Sequence, residues 1–260
     1  MDDQVGRESP NACKRPKYGD SATHPQAGRQ GKRVCYRSGV DAIEEWTQAQ
    51  RRVIELARSL SAEQAERQVP ACPDWTVTQL LAHMVGLNAD VLAGDEPEDH
   101  NAAWTQRQVD ERAGRDVAAL TTEWEGLTED MRSWMREHTS RPMNDVIIHE
   151  QDLRSAVSRP GARDTAGLAA VRDVMARRFA DRVAAAKRAP VLLWSPAWVF
   201  ATGEGEPGLE LSAPDFDLAR ALMSRRTAAQ LREWTTGGDI EEYLPLFSGL
   251  GPLPDSPLPE

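Results

Sequence analysis

Two histidines and an aspartate stand at spacings that would let them bind one metal ion. His83 lies between Leu80 and Met84 in a stretch with helical periodicity, so its side chain should face a helical core. Asp145 and His149 are four residues apart and therefore share one face of a helix. Two imidazoles and a carboxylate can fill three positions of a tetrahedral zinc ion, and the open fourth position is typical of catalytic sites.

Spacing alone leaves a simpler alternative open, in which His83 and His149 are satisfied core residues. The run that begins at His149 reads His-Glu-Gln-Asp-Leu, so Leu153 occupies the place of the second histidine in the zinc-protease motif H-E-x-x-H. We therefore expect Glu150 to face solvent, and we do not expect a metalloprotease. Asp152 could orient a metal-bound imidazole or form an ion pair with Arg154 or another nearby base.

Composition limits the class of protein. The 260 residues carry 41 acids and 31 bases, a net charge of −10, which argues against nucleic-acid binding. No apolar run approaches the roughly 20 residues that cross a bilayer, and the start does not resemble a secretory signal, so we expect a cytoplasmic protein with no membrane contact. The odd, widely spaced cysteines Cys13, Cys35 and Cys72 form neither a disulfide framework nor a metal-type pair, and a structural role is favoured for them.

The positioning elements are predicted to be mainly helical. Residues 1–39 are basic and polar and should be a disordered extension, and residues 249–260 form a proline-rich tail with no capacity to pack. Asp41 and Thr76 are predicted to cap the first two helices, and Pro142 to begin the fourth, which runs to about Val157. The third helix is predicted from a continuous apolar seam, Val117, Leu120, Trp124, Leu127, Met131 and Trp134.

Four amphipathic helices with short connections predict an antiparallel four-helix bundle over residues 40–160. After Gly161 the pattern changes to a helix from about Thr165 to Arg188, three short strands (VLLWS, WVFAT and GLELSA) and a last helix through Leu231. Residues 161–248 are therefore predicted to form a small α/β C-terminal domain.

Three segments resemble the mycothiol-dependent maleylpyruvate isomerase family, part of the wider DinB-like bundle superfamily. Residues 69–86, VPACPDWTVTQLLAHMVG, are similar to its C-P-x-W signature followed by L-x-x-H. Residues 145–154, DVIIHEQDLR, resemble its acid-x-x-x-His-x-x-Asp-Leu helix. Residues 221–232, ALMSRRTAAQLR, resemble its G-R-R-[ST] segment, although Ser224 replaces the usual glycine.

The resemblance implies a zinc ion bound by His83, Asp145 and His149, with aspartate here in place of the more common glutamate. It also implies mycothiol, a low-molecular-weight thiol, as cosubstrate of an isomerase or an S-transferase that acts on a small electrophile. Arg225 and Arg226 are the candidate catalytic residues, because guanidinium groups suit a carboxylate of the substrate or the thiol. Their alternative role is that of solvated arginines on a helix.

Two other classes of function stay open at this point. One is a metal-binding bundle without catalysis that acts as a sensor or interaction module. The other is a structural or partner-binding helical protein that holds no metal. The donor set would also accept nickel, cobalt or iron in place of zinc. The chain is expected to act as a monomer or a homodimer.

Overall fold

The structure is a computed structural model that describes residues 39–97 and 101–260. Helices dominate these residues. The predicted disordered extension lies outside the described residues except for Gly39. The mainly α class is confirmed. The ten α-helices in the described residues are α1 (Ala42–Arg58), α2 (Ala62–Ala65), α3 (Val77–Ala93), α4 (Ala102–Asp110), α5 (Val117–Gly126), α6 (Thr128–Glu137), α7 (Pro142–Ala156), α8 (Ala166–Ala185), α9 (Asp215–Leu222) and α10 (Ala228–Glu233).

The bundle consists of α1, α3, α7 and the consecutive pair α5 and α6. Helices α1 and α3 each pack against α7 on one side and against α5 and α6 on the other, so the four columns enclose a shared core. The two largest side chains of that core are Trp46 and Trp124, and both are fully buried. No helix among the described residues is long and apolar enough to span a membrane.

The bundle helices begin where the sequence predicts. Asp41 accepts hydrogen bonds from the backbone amides of Ile43 and Glu44 at the start of α1. Thr76 and Gln79 form a reciprocal capping box at the start of α3. Pro142 occupies the first turn of α7, where its missing N–H costs no hydrogen bond. These local signals fix the phase of the helices that carry the candidate ligands.

The third column differs from the single helix that the sequence predicts. It ends at Gly126 and begins again at Thr128, and the amide of Leu127 bonds to the carbonyl of Trp124 in a tighter turn. Glycine weakens a helix by roughly 1 kcal/mol relative to alanine, which explains the break at this point. The apolar seam continues across it, with Trp124 and Met131 fully buried. Helix α4, which packs on the outside of α3, was not predicted.

A short hairpin precedes α3. Its strands are β1 (Gln68–Val69) and β2 (Cys72–Thr76), which pair antiparallel. Because β2 ends on the cap of α3, the hairpin places Cys72 and Trp75 beside the first turns of that helix.

The C-terminal part contains α8 and a four-stranded sheet. The sheet has the order β4 (Val199–Ala201), β3 (Val191–Trp194), β5 (Leu209–Ser212) and β6 (Thr235–Gly238). Strands β3 and β5 are parallel, and the outer pairs are antiparallel. The three strands predicted from the sequence are present, and β6 was not predicted. Two 3-10 turns, Ile240–Glu242 and Leu244–Phe247, follow the sheet.

The single helix predicted through Leu231 is wrong, because α9 and α10 are separate. Ser224 adopts a left-handed conformation with φ of 61°, which interrupts the helix, and Thr227 then caps α10 with its own capping box. The break is what turns Arg225 and Arg226 inward, as described below.

The proline-rich tail makes contacts that its composition did not predict. The Ser155 hydroxyl donates to the carbonyl of Pro259 at 2.6 Å, and the Glu260 carboxylate pairs with Arg220 Nε at 2.8 Å and with Arg226 Nη2 at 2.6 Å. The described residues all fall within one compact unit. The domain boundary at residue 160 stays a prediction.

Glu150 is buried, so the expectation that it faces solvent is wrong. Its side chain is 1% exposed and receives two hydrogen bonds from Arg52 of α1, at 2.8 and 2.7 Å. Arg154, one turn further along α7, donates to the same carboxylate at 3.0 and 3.1 Å. This ion pair fastens α7 to α1.

We predict that Glu150→Gln lowers the free energy of unfolding by about 2 kcal/mol. Removing one partner of a buried ion pair typically costs roughly 3–5 kcal/mol, and the value is smaller here because the Arg52 side chain is 24% exposed. The measurement is urea unfolding. Glu125→Gln is the matched control, since Glu125 makes an equally bidentate but exposed pair with Arg58 of α1. Equal losses in the two variants would contradict the importance of burial.

Candidate metal centre

The structure brings together the three side chains that the sequence predicts as ligands. His83 extends from α3, and Asp145 and His149 extend from α7. The Nε2 atom of His83 lies 3.4 Å from Asp145 Oδ1, and the Nε2 atom of His149 lies 3.5 Å from the same oxygen. The two imidazole rings meet edge to face, with centroids 5.1 Å apart. The donor atoms of all three residues lie within 4.8 Å of one another, so His83, Asp145 and His149 form a ligand cluster.

These distances fit a tetrahedral ion. Nitrogen and oxygen ligands about 2.1 Å from zinc are separated from each other by about 3.4 Å in tetrahedral geometry. The two nitrogen-to-oxygen separations in this cluster match that value. The set of two imidazoles and one carboxylate is also chemically suited to zinc and leaves one coordination position for another ligand.

Both imidazoles are held by acceptors on the side away from the cluster. His83 Nδ1 lies 2.7 Å from Gln108 Oε1, and His149 Nδ1 lies 3.1 Å from Asp152 Oδ2. An acceptor at Nδ1 favours the tautomer with its proton there, which leaves the Nε2 lone pair directed at the cluster. The sequence does not single out Gln108, because α4, the helix that carries it, has no continuous apolar pattern.

The electric field around His149 favours positive charge. Burial alone would lower the pKa of His149, but the Asp145 carboxylate, together with hydrogen bonds to Asp152 and Cys72, raises it to about 10. A metal cation placed among these groups would supply the positive charge that the proton otherwise brings.

Asp152 is the most enclosed acid near the cluster, with no exposed side-chain surface. Arg220 Nη2 donates to its Oδ1 at 2.9 Å, and Arg225 donates to both oxygens at 3.1 and 2.9 Å. Burial alone would raise the pKa of Asp152, but the guanidinium groups of Arg225 and Arg220 hold it well below its ordinary value. Of the two roles considered for Asp152, the structure shows contacts for both, with Arg220 and Arg225 as the bases.

Arg225 and Arg226 are buried, at 7% and 4% exposed, so the alternative of solvated arginines is wrong. Arg225 donates hydrogen bonds to Asp152 and to the carbonyl of Met223, and longer ones to the Leu250 carbonyl and Cys72 Sγ. Arg226 pairs instead with Asp217 and Glu260. Arg225 is therefore connected to His149 through a single residue, Asp152. Arg226 forms its ion pairs with other acids.

Trp75 and Cys72 of the hairpin border the cluster. The Trp75 ring lies 4.9 Å from the His83 ring, and its Nε1 donates to Gln106 Oε1 at 3.0 Å. Cys72 Sγ lies 3.9 Å from Asp152 Oδ2 and forms, with His149 and Asp152, a second group able to hold a cation. The side chains of His149 and Asp145 are 13% and 17% exposed, so the cluster is reachable from solvent.

We predict that Asp152→Asn lowers the free energy of unfolding at neutral pH by about 3 kcal/mol, because two buried guanidinium groups lose their anionic partner. The measurement is denaturant unfolding at several pH values. A depressed folded-state pKa stabilises the protein above the unfolded-state pKa of about 3.9 and loses that contribution as the pH falls further. Stability below pH ~4 should therefore fall less steeply in the variant than in the wild type. Parallel pH profiles would contradict this assignment.

Comparison with known proteins agrees with the resemblance seen in the sequence. Residues 46–144 match the family described as the mycothiol maleylpyruvate isomerase N-terminal domain. That match includes His83 and ends one residue before Asp145. No curated protein sequence matches the chain.

Two crystal structures are similar in part. They are a mycothiol-dependent maleylpyruvate isomerase, with 11% identity and a TM-score of 0.48, and a point mutant of such an enzyme, with 10% identity and a TM-score of 0.47. Each likeness covers 71% of this chain and 88% of the other. Residues 46–144 are a domain of the mycothiol maleylpyruvate isomerase N-terminal domain family.

Proposed function

We propose that this protein is a metal-dependent enzyme that uses a low-molecular-weight thiol, mycothiol or a close equivalent, to isomerise or conjugate a small electrophile. His83, Asp145 and His149 would hold the metal, and zinc is the ion proposed. The observation that carries this proposal is the convergence of both imidazole Nε2 atoms on Asp145 Oδ1 at 3.4 and 3.5 Å. The family match to residues 46–144 supports the thiol and the class of substrate.

The protein's own residues would prepare the site in three ways. The two imidazoles present their Nε2 lone pairs because Gln108 and Asp152 accept hydrogen bonds at Nδ1. Asp145 adds the negative charge that favours a cation between them. Trp75 packs along the His83 ring and covers one side of the cluster. A bound zinc ion would lower the pKa of a coordinating thiol, so that thiolate is available at neutral pH.

The chemistry of the substrate follows from the nucleophile. A thiolate sulfur adds to an activated carbon–carbon double bond, and the electron pair moves onto the activating carbonyl group. Rotation about the resulting single bond, followed by return of the electron pair and loss of the thiolate, gives the trans isomer. If the adduct is instead protonated and released, the product is a conjugate. Isomerase and S-transferase are therefore two outcomes of the same first step.

For Arg225 we propose a positioning role in place of direct contact with the substrate. Its guanidinium group donates to both oxygens of Asp152, and Asp152 in turn accepts the hydrogen bond from His149. Arg226 would act more remotely, through Asp217 and Glu260. In this proposal the two arginines do not contact the substrate. They help to hold the imidazole of His149 in place.

We predict that the purified wild-type protein carries close to one zinc ion per chain and that His83→Ala and His149→Ala each lose it. Elemental mass spectrometry after dialysis against metal-free buffer makes the measurement. His138→Ala is the matched control, because His138 is an exposed imidazole stacked on Trp134 outside the cluster. Wild-type protein that takes up no zinc, cobalt or nickel would refute the metal site.

We also predict that turnover of an electrophile such as maleylpyruvate requires both the metal and the thiol. The assay compares the metal-loaded wild type with mycothiol, with other thiols and with none. Activity should disappear in both ligand variants and persist in His138→Ala. Stoichiometric metal without any thiol-dependent turnover would overturn the enzymatic part of the proposal and would favour a non-catalytic metal-binding bundle.

A further inference from the structure

We infer that Gln108, oriented by Asp90, is a positioning residue that fixes the tautomer of His83 so that its Nε2 lone pair is available to a metal. The inference rests on the proposed metal site and adds to it two residues that neither the sequence motifs nor the family match singles out. Its physical basis is a chain of two hydrogen bonds that connects Asp90 to His83 through Gln108.

The chain has a defined direction. Gln108 Nε2 donates to Asp90 Oδ2 at 2.8 Å, and Gln108 Oε1 lies 2.7 Å from His83 Nδ1. Gln108 has no exposed surface, and His83 and Asp90 are 3% and 8% exposed. These bonds are therefore shielded from water. In an exposed position, a water molecule could replace either hydrogen-bond partner at little cost in free energy.

An isolated glutamine could not specify the tautomer, because its amide can rotate to present either the oxygen or the nitrogen. A carboxylate can only accept hydrogen bonds, so Asp90 selects the orientation in which the amide nitrogen of Gln108 faces it. The amide oxygen must then face His83, where it accepts a proton from Nδ1. The imidazole that results has its proton on Nδ1 and its lone pair on Nε2.

A competing arrangement makes this selection necessary. His83 Nε2 lies 3.4 Å from Asp145 Oδ1, and a carboxylate at that distance attracts a proton to Nε2. That tautomer would have no lone pair directed at the cluster. The hydrogen bond to Gln108 opposes it by favouring the proton on the other ring nitrogen.

Gly86 allows Gln108 to reach His83. It lies on α3 one turn beyond His83, and a Cβ atom built there would stand 2.5 Å from Gln108 Cβ and 2.9 Å from both Gln108 Cγ and Arg112 Nη1. Any side chain at residue 86 would push α4 away from α3. Glycine in the middle of a helix is unfavourable relative to alanine, and here it permits the close contact between α3 and α4.

The first test is the tautomer of His83 in the metal-free protein, read from imidazole ¹⁵N chemical shifts at a pH where the ring is neutral. The wild type should show the proton on Nδ1. Gln108→Leu should shift His83 toward the Nε2-protonated form and should weaken zinc binding by about 10- to 100-fold in chelator competition. Gly86→Ala should change both readouts in the same direction, because it displaces Gln108.

Rescue separates positioning from general packing. In the double variant Asp90→Asn with Gln108→Glu, the roles of the two residues are exchanged, so that the new carboxylate accepts from both His83 and the new amide. We expect this variant to recover the Nδ1-protonated tautomer and most of the zinc affinity. Gln50→Leu is the matched control, since Gln50 is a buried glutamine of α1 that bonds to the carbonyl of Trp124, away from the cluster.

Three results would overturn the inference. They are an unchanged tautomer and zinc affinity in Gln108→Leu, an equal loss of affinity in Gln50→Leu, or a double variant no better than Gln108→Leu. The tautomer is measured without metal, so it remains informative even if the protein binds no zinc. Failure of the proposed function and failure of this inference are therefore distinguishable.

Discussion

The buried carboxylate of Asp152 connects the candidate metal centre to the rest of the molecule. It receives Arg220 and Arg225 from the C-terminal part and His149 from its own helix, and none of its side-chain surface reaches solvent. An isolated charge in such a place would cost many kcal/mol, so the carboxylate and the guanidinium groups depend on one another for stability. The orientation of His149 thus depends on segments more than 65 residues away in the chain.

The two imidazoles are held by different means. The Nδ1 atom of His149 is hydrogen-bonded to a charged acceptor, Asp152, whereas that of His83 is hydrogen-bonded to a neutral amide, Gln108. The orientation of Gln108 is in turn set by Asp90. A charged acceptor makes an imidazole a stronger donor to a metal than a neutral one does. The two ligands are therefore expected to contribute unequally, although they come from facing helices and lie at almost equal distances from Asp145.

Much of the helical scaffold could be predicted from the sequence because its signals are local. Caps at Asp41 and Thr76 and the proline at residue 142 act within one turn, and each lies where it was predicted. The spacing of Asp145 and His149 likewise depends on a single helix.

The features that the sequence does not predict depend on contacts between distant segments. Neither the burial of Glu150 by Arg52 nor the break at Ser224 is visible in a linear pattern. Gln108 was missed because a polar residue on a short surface helix resembles any solvated side chain.

Helix α7 directs three acids toward three different neighbours. Asp145 faces His83 of α3, Glu150 faces Arg52 of α1, and Asp152 faces Arg220 and Arg225 of the C-terminal part. One residue of an α-helix corresponds to a rotation of about 100°. An insertion or deletion of a single residue between positions 145 and 152 would therefore turn at least one acid away from its partner. Changes in chain length during evolution, or in protein engineering, should be tolerated in the connections on either side of this helix and not within it.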